Sequence, residues 1–414
     1  MRHLPPRQTD ARRTATWATS SPERSPRMTD CRVIIIGAGI GGLAAALSLQ
    51  RHGMRVSIYE QAPELREFGA GLMVTPNAMH ALDFLGVGDV IAATSNVSAG
   101  LLIKHYRTGE VIEHRSHGDA YRLKYGAGYF QVHRADLHNA LSAAVLANDS
   151  GCIHLAHAFT DLSQDDSGVV ARFANGVVAS ADALIGCDGG RSAVRDKVHD
   201  SAPVAYTGQV SFRALVPTAI LPPEMRTPSR CLYIGPRRMF LHYLLRKDSV
   251  MNIVANARQP RWEAEGWAIR AEVSELLELY RDFHPQVMRM IESIEPDALF
   301  KWGLRDREPL PQWTIGRVST LGDAAHPMSP FLGQGAVMAI EDGTVLGRCF
   351  AKASTVEEAL ALYERARRQR ANAVQLESRE QAIALQGSHL ENFNPGRNAE
   401  DRGLFDYDPA TVPI

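Results

Sequence analysis

Residues 32–50 constrain this chain more than any other stretch. Arg32-Val33-Ile34-Ile35-Ile36 is a β-branched run of buried-strand type, and it leads directly into Gly37-Ala38-Gly39-Ile40-Gly41-Gly42 and then the helix-forming residues 43–50. This is strand, G-x-G-x-x-G, helix. In such a unit Gly37 permits the tight turn, Gly39 lets the backbone approach a pyrophosphate, and Gly42 lets helix and strand pack closely, so that the phosphates meet the helix N-terminus. A second strand pattern at 55–59 ends at Glu60, the distance at which an acid takes a ribose hydroxyl pair. The chain is therefore expected to bind a dinucleotide on a parallel α/β unit, although this motif alone does not separate NAD from FAD. Residues 33–49 approach membrane-spanning length, but Gly37, Gly39, Gly41 and Gly42 interrupt them, and a βα unit explains them better.

Length and charge narrow the function classes. A chain of 414 residues has room for two or three domains. Its 45 Lys plus Arg against 46 Asp plus Glu provide no electrostatic reason to expect nucleic acid or an anionic membrane as partner. The five cysteines are far apart with no C-x-x-C pair, which fits a reducing compartment and no zinc or other metal site. Residues 1–28 are expected to be a disordered extension, either a transit peptide or, the favoured account, residues ahead of a start at Met28. No signal-peptide apolar region is present, so a cytoplasmic location is expected.

Two further motifs follow in order. Residues 183–187 form an apolar strand running into Asp188-Gly189-Gly190-Arg191-Ser192, where Ser192 is a good helix N-cap. Residues 316–321 are another strand pattern, ending at Gly322-Asp323-Ala324-Ala325-His326-Pro327, with Pro330-Phe331-Leu332-Gly333-Gln334-Gly335 and a helical stretch at 337–350 behind it. Glycines here free backbone N–H groups at a helix start, where they can stabilise negative charge.

This order of motifs resembles the FAD-dependent aromatic hydroxylases, the single-component flavoprotein monooxygenases that include p-hydroxybenzoate, salicylate, 3-hydroxybenzoate and 6-hydroxynicotinate hydroxylases. The resemblance runs from about residue 30 to about residue 379. It implies FAD, held at its ADP half by Gly37, Gly39, Gly42 and Glu60. Asp188 and Gly189 would lie near the flavin pyrophosphate and the nicotinamide path, Gly322 and Asp323 at the ribityl chain, and the backbone from Leu332 through Gly333 to Gly335 at the flavin pyrimidine edge. His133-Arg134-Ala135-Asp136-Leu137 with Leu141 matches a further family element and implies Arg134 as an FAD contact; a surface ion pair is the other reading of Arg134. The chain has a single G-x-G-x-x-G, so NADH or NADPH would dock transiently, unlike in flavin disulfide reductases, which carry a second such fold.

The implied fold class is α/β: a Rossmann-like FAD-binding domain with an inserted, mostly antiparallel β-sheet substrate domain and C-terminal helices. The expected division is 29–98, 132–203 and 300–350 for FAD, 99–131 and 204–299 for substrate, and 351–414 for a C-terminal helix and tail. One helical stretch is expected at about 273–294 and another at about 356–386, the latter with Leu362, Ala366, Ala373 and Val374 inward and Arg365, Arg367, Arg368 and Arg370 on a solvated face.

The resemblance also implies chemistry: reduced flavin and O2 give a C4a-hydroperoxide that transfers oxygen to an electron-rich ring. Such a site must exclude water and draw the phenol proton away from the ring. Alternation along 237–246 places Met239, Leu241 and Tyr243 on one strand face and Phe240 and His242 on the other. Tyr243 matches a family position facing substrate. His242 is a second candidate, to be weighed against a satisfied sheet histidine, and Pro330 stands where the family often has a proline beside the flavin. Met73 and Phe331 replace histidine ligands of the 6-hydroxynicotinate enzymes, which points to an apolar pocket that includes Met239. Arg213 is open between a substrate carboxylate and a protein acid, and His326 is expected to be structural. The expected substrate is a small phenolic or hydroxylated (hetero)aromatic, oxygenated with or without decarboxylation by a monomer or homodimer. Epoxidation or hydroxylation of a larger polycyclic or isoprenoid substrate, a flavin oxidase or dehydrogenase without oxygen insertion, and a redox flavoprotein acting on a protein remain as alternatives.

Overall fold

A computed structural model describes residues 28, 30–65, 70–200, 203–262, 269–387 and 396–414; the expected disordered extension lies, but for Met28, outside the described residues. Six strands form one sheet in the order Thr314–Ile315, Val318–Thr320, Ala183–Gly186, Arg32–Ile36, Arg55–Tyr59, Ile153–His154. All neighbours are parallel except the Thr314–Ile315 edge. Val33 to Ile36 are buried on both faces, which is why that strand reads as a continuous apolar run without alternation. Because Arg32–Ile36, Ala183–Gly186 and Val318–Thr320 are adjacent and parallel, their carboxyl ends bring the three glycine-bearing loops to one edge of the sheet.

The helix Ile40–Arg51 crosses the long helix Gly335–Lys352 at close range. A Cβ at Gly343 would lie 2.5 Å from the Ala45 nitrogen, and one at Gly347 would lie 2.2 Å from Ser48 Oγ, so glycine permits the approach.

Eight strands form the second large sheet, in the order Ile269–Arg270, Phe300–Asp306, Ala205–Pro217, Val250–Arg258, Arg238–Leu245, Arg230–Gly235, Gly100–His105, Val111–Ser116. Only the Arg230–Gly235 and Gly100–His105 pair is parallel. Phe300–Asp306, which the expected division places with the nucleotide-binding segments, hydrogen-bonds to Ala205–Pro217 in this sheet. One face packs on the helices Val273–Tyr280 and Pro285–Glu292 through Phe212, Phe240, Ile253, Leu276, Tyr280 and Met290. These two helices replace the single stretch expected at 273–294. Pro285 cannot donate to a continuing helix, and His284 stands in extended backbone and accepts the Gln286 N–H, starting the second helix.

The C-terminal helix Val356–Leu385 matches its expected span, but its arginines do not share one solvated face. Arg367 is fully buried and Ala373 is exposed. The reason lies on Gly335–Lys352, whose buried Glu341 and Asp342 require cations from the helix packed against it.

Candidate active site

The three loops at the parallel sheet edge border one elongated cavity of about 1120 Å³. Gly37 has φ +102°, and a Cβ there would sit 2.5 Å from the Cys187 carbonyl oxygen, so the turn after the first strand admits only glycine. Gly42 does not line the cavity; its Cα packs on the Gly37 carbonyl, 2.1 Å from where a Cβ would stand. Gly39 lines the cavity, and a Cβ there would meet no protein atom within 4 Å. Only a ligand gives that glycine a steric reason.

Glu60 accepts the Ala38 and Ala62 N–H groups, both at 2.9 Å, which holds its carboxylate at the cavity rim. Asp188 accepts from Ser192 Oγ at 2.5 Å and from the Val194 N–H at 3.1 Å, while Gly189 lies beside it on the wall. Burial pushes the Asp188 and Asp323 carboxyls up from their ordinary values. Asp323 keeps accessible surface although protein surrounds it, because that surface faces the cavity. Gly322 stays behind the wall, its N–H donated to Asp342 Oδ2 at 3.2 Å. Arg134, Pro330, Gly333 and Gly335 line the same cavity.

Neither Ile40–Arg51 nor Gly335–Lys352 has a side-chain cap or an acid in its first turn, and both begin at this cavity. Two uncapped helix starts, an open glycine and a rim carboxylate fit a dinucleotide, with phosphates at the first start and a polar ring edge at the second.

The cavity continues under the eight-stranded sheet, where parity decides which side chains reach it. Arg213, Met239, Tyr243, Val254 and Asn256 share the cavity face. The residues between them enter the helix-covered core. His242 is one of these, so the structure corrects its candidacy: it is 0 % exposed, does not border the cavity, and has no hydrogen-bond partner on either ring nitrogen. Burial and then Lys104 lower its pKa to about 3, leaving a neutral core histidine.

The Tyr243 ring lies against Gly71, whose Cβ would stand 2.6 Å from Tyr243 Oη; the hydroxyl makes no hydrogen bond to the described residues. Burial outweighs the nearby Arg213 and Arg230 and pushes its pKa up to about 12. Met73 and Phe331 also line the wall, the positions expected to make it apolar.

Several cavity residues were not singled out from sequence: Arg230, His117, Tyr121, Tyr129, Trp302 and Glu400. Arg230 and Trp302 follow from strand parity once the register is known, since Arg230 pairs with Tyr243 and Trp302 with Ser211. Tyr121 on the helix Asp119–Tyr125 and Glu400 in the tail have no local signal, for their meeting spans 279 residues.

Behind the wall, Asp342 binds His326 Nε2 at 2.6 Å and Arg367 Nε at 2.7 Å. Glu341 receives Arg367, Arg370 and Asn77. His326 and Arg367 together outweigh the burial that would raise the Asp342 pKa and hold it below its ordinary value. His326 is thus a structural partner, locking the helix that presents Gly335.

A family model described as FAD binding domain matches residues 30–378. The chain is 36% identical over 338 residues to a 3-hydroxybenzoate 6-hydroxylase of Klebsiella oxytoca, covering 81% of this chain and 84% of that protein. This chain belongs to the FAD-dependent aromatic hydroxylase family. The hydroxylase is also 33% identical over 387 residues to a 6-hydroxynicotinate 3-monooxygenase of Pseudomonas fluorescens, covering 92% and 96% of the two chains. Among solved structures it resembles Klebsiella pneumoniae HpxO complexed with FAD and uric acid, with TM-score 0.79, 26% identity and coverage of 91% and 93%. It resembles a salicylate hydroxylase substrate complex with TM-score 0.77, 25% identity and coverage of 93% and 99%. The protein is an FAD-dependent monooxygenase, with NADH or NADPH and O2 as co-substrates. No helix of the described residues is long and apolar enough to cross a membrane.

Proposed function

We propose that this hydroxylase inserts one oxygen atom into a small phenolic or otherwise hydroxylated (hetero)aromatic compound, the class to which the substrates named for its relatives belong. The observation that carries the proposal is the continuity of one cavity from the glycine turn to Tyr243. We assign the parallel sheet and its loops to FAD and the cavity face of the antiparallel sheet to substrate. Bound there, FAD supplies the redox chemistry, taking reducing equivalents from the nicotinamide and delivering them to O2. Gly37, Gly39 and Glu60 hold its adenosine diphosphate half, Arg134, Asp188, Gly189 and Asp323 line its middle, and Pro330, Gly333 and Gly335 border the ring.

The chain's own side chains then govern the substrate. Met73, Met239 and Phe331 exclude water from the ring, as a reactive oxygen species requires. Tyr243, protonated at neutral pH with its pKa near 12, orients the substrate oxygen by a hydrogen bond and does not serve as a base. We place the protein in the cytoplasm as a monomer or homodimer; all five cysteines are free, which suits a reducing compartment.

The test is NADH and NADPH oxidation by FAD-loaded protein with a panel of phenols, hydroxybenzoates and hydroxypyridines, followed by mass analysis. A ligand that accelerates oxidation and gains one oxygen atom supports the proposal and identifies the substrate class. Acceleration that yields only H2O2 from every ligand would refute it.

A further inference from the structure

A polar cluster lies just behind the cavity wall, between the helices Pro76–Phe84 and Gly335–Lys352. Its members Thr75, Asn77, Gln334 and Glu341 are each no more than 1 % exposed. Thr75 Oγ1 donates to Asn77 Oδ1 at 2.6 Å, Asn77 Nδ2 donates to Gln334 Oε1 at 3.4 Å, and Gln334 Nε2 donates back to Thr75 Oγ1 at 3.4 Å, closing a ring. The other Asn77 proton goes to Glu341 Oε1 at 2.6 Å. Every donor points the same way round, an arrangement in which the bonds polarise one another. Thr75 is the N-cap residue of Pro76–Phe84, yet its hydroxyl caps no N–H group and turns to Asn77 instead; Gln334 likewise begins Gly335–Lys352 without capping it. Apolar side chains would join these helices without burying polar groups, but apolar contact is non-directional. What the ring adds is a fixed spacing.

Both ends of the ring are one or two residues from the cavity. Met73, two residues before Thr75, lines the substrate wall on the strand Gly71–Val74, whose Gly71 N–H is held by Asn252 Oδ1 at 2.8 Å. Gly333 and Gly335, on either side of Gln334, line the other end. Resting on the assignment of Pro330, Gly333 and Gly335 to the flavin ring, we propose that Asn77 is a positioning residue for oxygen transfer, which with Thr75 and Gln334 fixes the separation between the substrate wall and the flavin end of the cavity. Asn77 borders neither ligand. It governs whether the reactive oxygen reaches substrate carbon or leaves as H2O2, and not how tightly either ligand is held. Glu341 keeps Arg367 and Arg370 when Asn77 is replaced, so no buried charge is left alone and the chain should still fold.

The experiment compares FAD-loaded wild type with Asn77→Leu, Thr75→Val, Thr75→Ser and the Asn77→Leu/Thr75→Val double variant. It reads melting temperature, FAD content, the visible circular dichroism of the bound flavin, ligand Kd, and H2O2 against oxygenated product for the NAD(P)H oxidised. In Asn77→Leu and Thr75→Val the flavin dichroism should change and the rate of oxygenation should fall about ten- to a hundredfold with H2O2 taking up the difference, while FAD content and ligand Kd stay within about twofold of wild type. Thr75→Ser keeps the hydroxyl and should behave as wild type. Because either substitution opens the same ring, the double variant should be no worse than the poorer single one. Unchanged dichroism and coupling in both single variants would overturn the proposal, whatever their melting temperatures, because the cluster would then serve the fold alone. So would effects that add in the double variant, or a Thr75→Ser protein as uncoupled as Thr75→Val. If Asn77→Leu fails to fold, the contrast between Thr75→Val and Thr75→Ser decides. Should wild type oxygenate no member of the ligand panel, the substrate assignment fails and the flavin dichroism still decides the role of Asn77. Oxygenation by wild type with equal coupling in the variants does the reverse.

Discussion

Gly39 and Gly42 stand three positions apart in one motif, yet alanine at each should fail for a different reason. At Gly39 the backbone is extended at φ −71° and ψ 179°, and a Cβ meets open cavity. Gly39→Ala should therefore keep the apoprotein's stability, or raise it by about 0.4–1 kcal/mol through the unfolded chain, while FAD content after purification falls. At Gly42 the same methyl would stand 2.1 Å from the Gly37 carbonyl oxygen, so Gly42→Ala should lose thermal stability with or without FAD. Melting temperature and bound-flavin absorbance of the two variants test the contrast. Neighbours on the sheet make a second contrast. Tyr243→Phe removes a hydroxyl that bonds no described residue, so folding and FAD content should hold while kcat/KM drops about tenfold, the loss of one hydrogen bond of about 1.5 kcal/mol. His242→Leu replaces a buried ring with two unpartnered nitrogens and should leave turnover unchanged with equal or higher stability. Equal losses in both would mean that strand parity does not decide the site.

Among the elements, the strand Arg238–Leu245 and the helix Gly335–Lys352 were legible to different depths. Alternation along the strand was readable, because a pleated sheet forces a period of two; which face meets a ligand was not, since that depends on the helices Val273–Tyr280 and Pro285–Glu292 covering the other. On Gly335–Lys352 the buried charges are Glu341 and Asp342, and the arginines that match them lie 25 to 29 residues further on. Helical periodicity alone therefore misplaces Arg367 in solvent. Arg367→Met leaves Glu341 and Asp342 buried without their shared partner and should cost about 3–5 kcal/mol, read as a fall in melting temperature at neutral pH. The acid side provides the sign. Asp342 is held below its ordinary value in the folded protein, so its contribution is complete above the unfolded value of about 3.9 and is lost as pH falls through the depressed folded one. Below about pH 4 the wild type should lose stability more steeply than the variant.

Across the whole molecule, the C-terminal segment closes the far end of the cavity, where a polar tail was expected. Leu404 and Phe405 are buried, Phe405 packs edge-on to Tyr125 and Tyr129, and Glu400 takes hydrogen bonds from Tyr121 and Tyr125 together with the Lys124 ammonium. Glu400→Ala should loosen this closure and admit water, so that a several-fold larger share of NAD(P)H oxidation ends as H2O2; paired peroxide and product assays would show it, and unchanged coupling would mean that the tail does not seal the site. The long-range placement of this segment marks the boundary between what the chain spells locally and what it does not. The strand–glycine–helix turn, the acid at Glu60, the order of three motifs and the period of each strand are determined by sequence alone, because each depends on backbone geometry or a period spanning a few residues. Only the tertiary structure decided that His242 faces helices, that Arg367 is buried against Asp342, and that Glu400 meets Tyr121. Those outcomes depend on which distant surfaces exclude water together, and no local pattern encodes a partner that far along the chain.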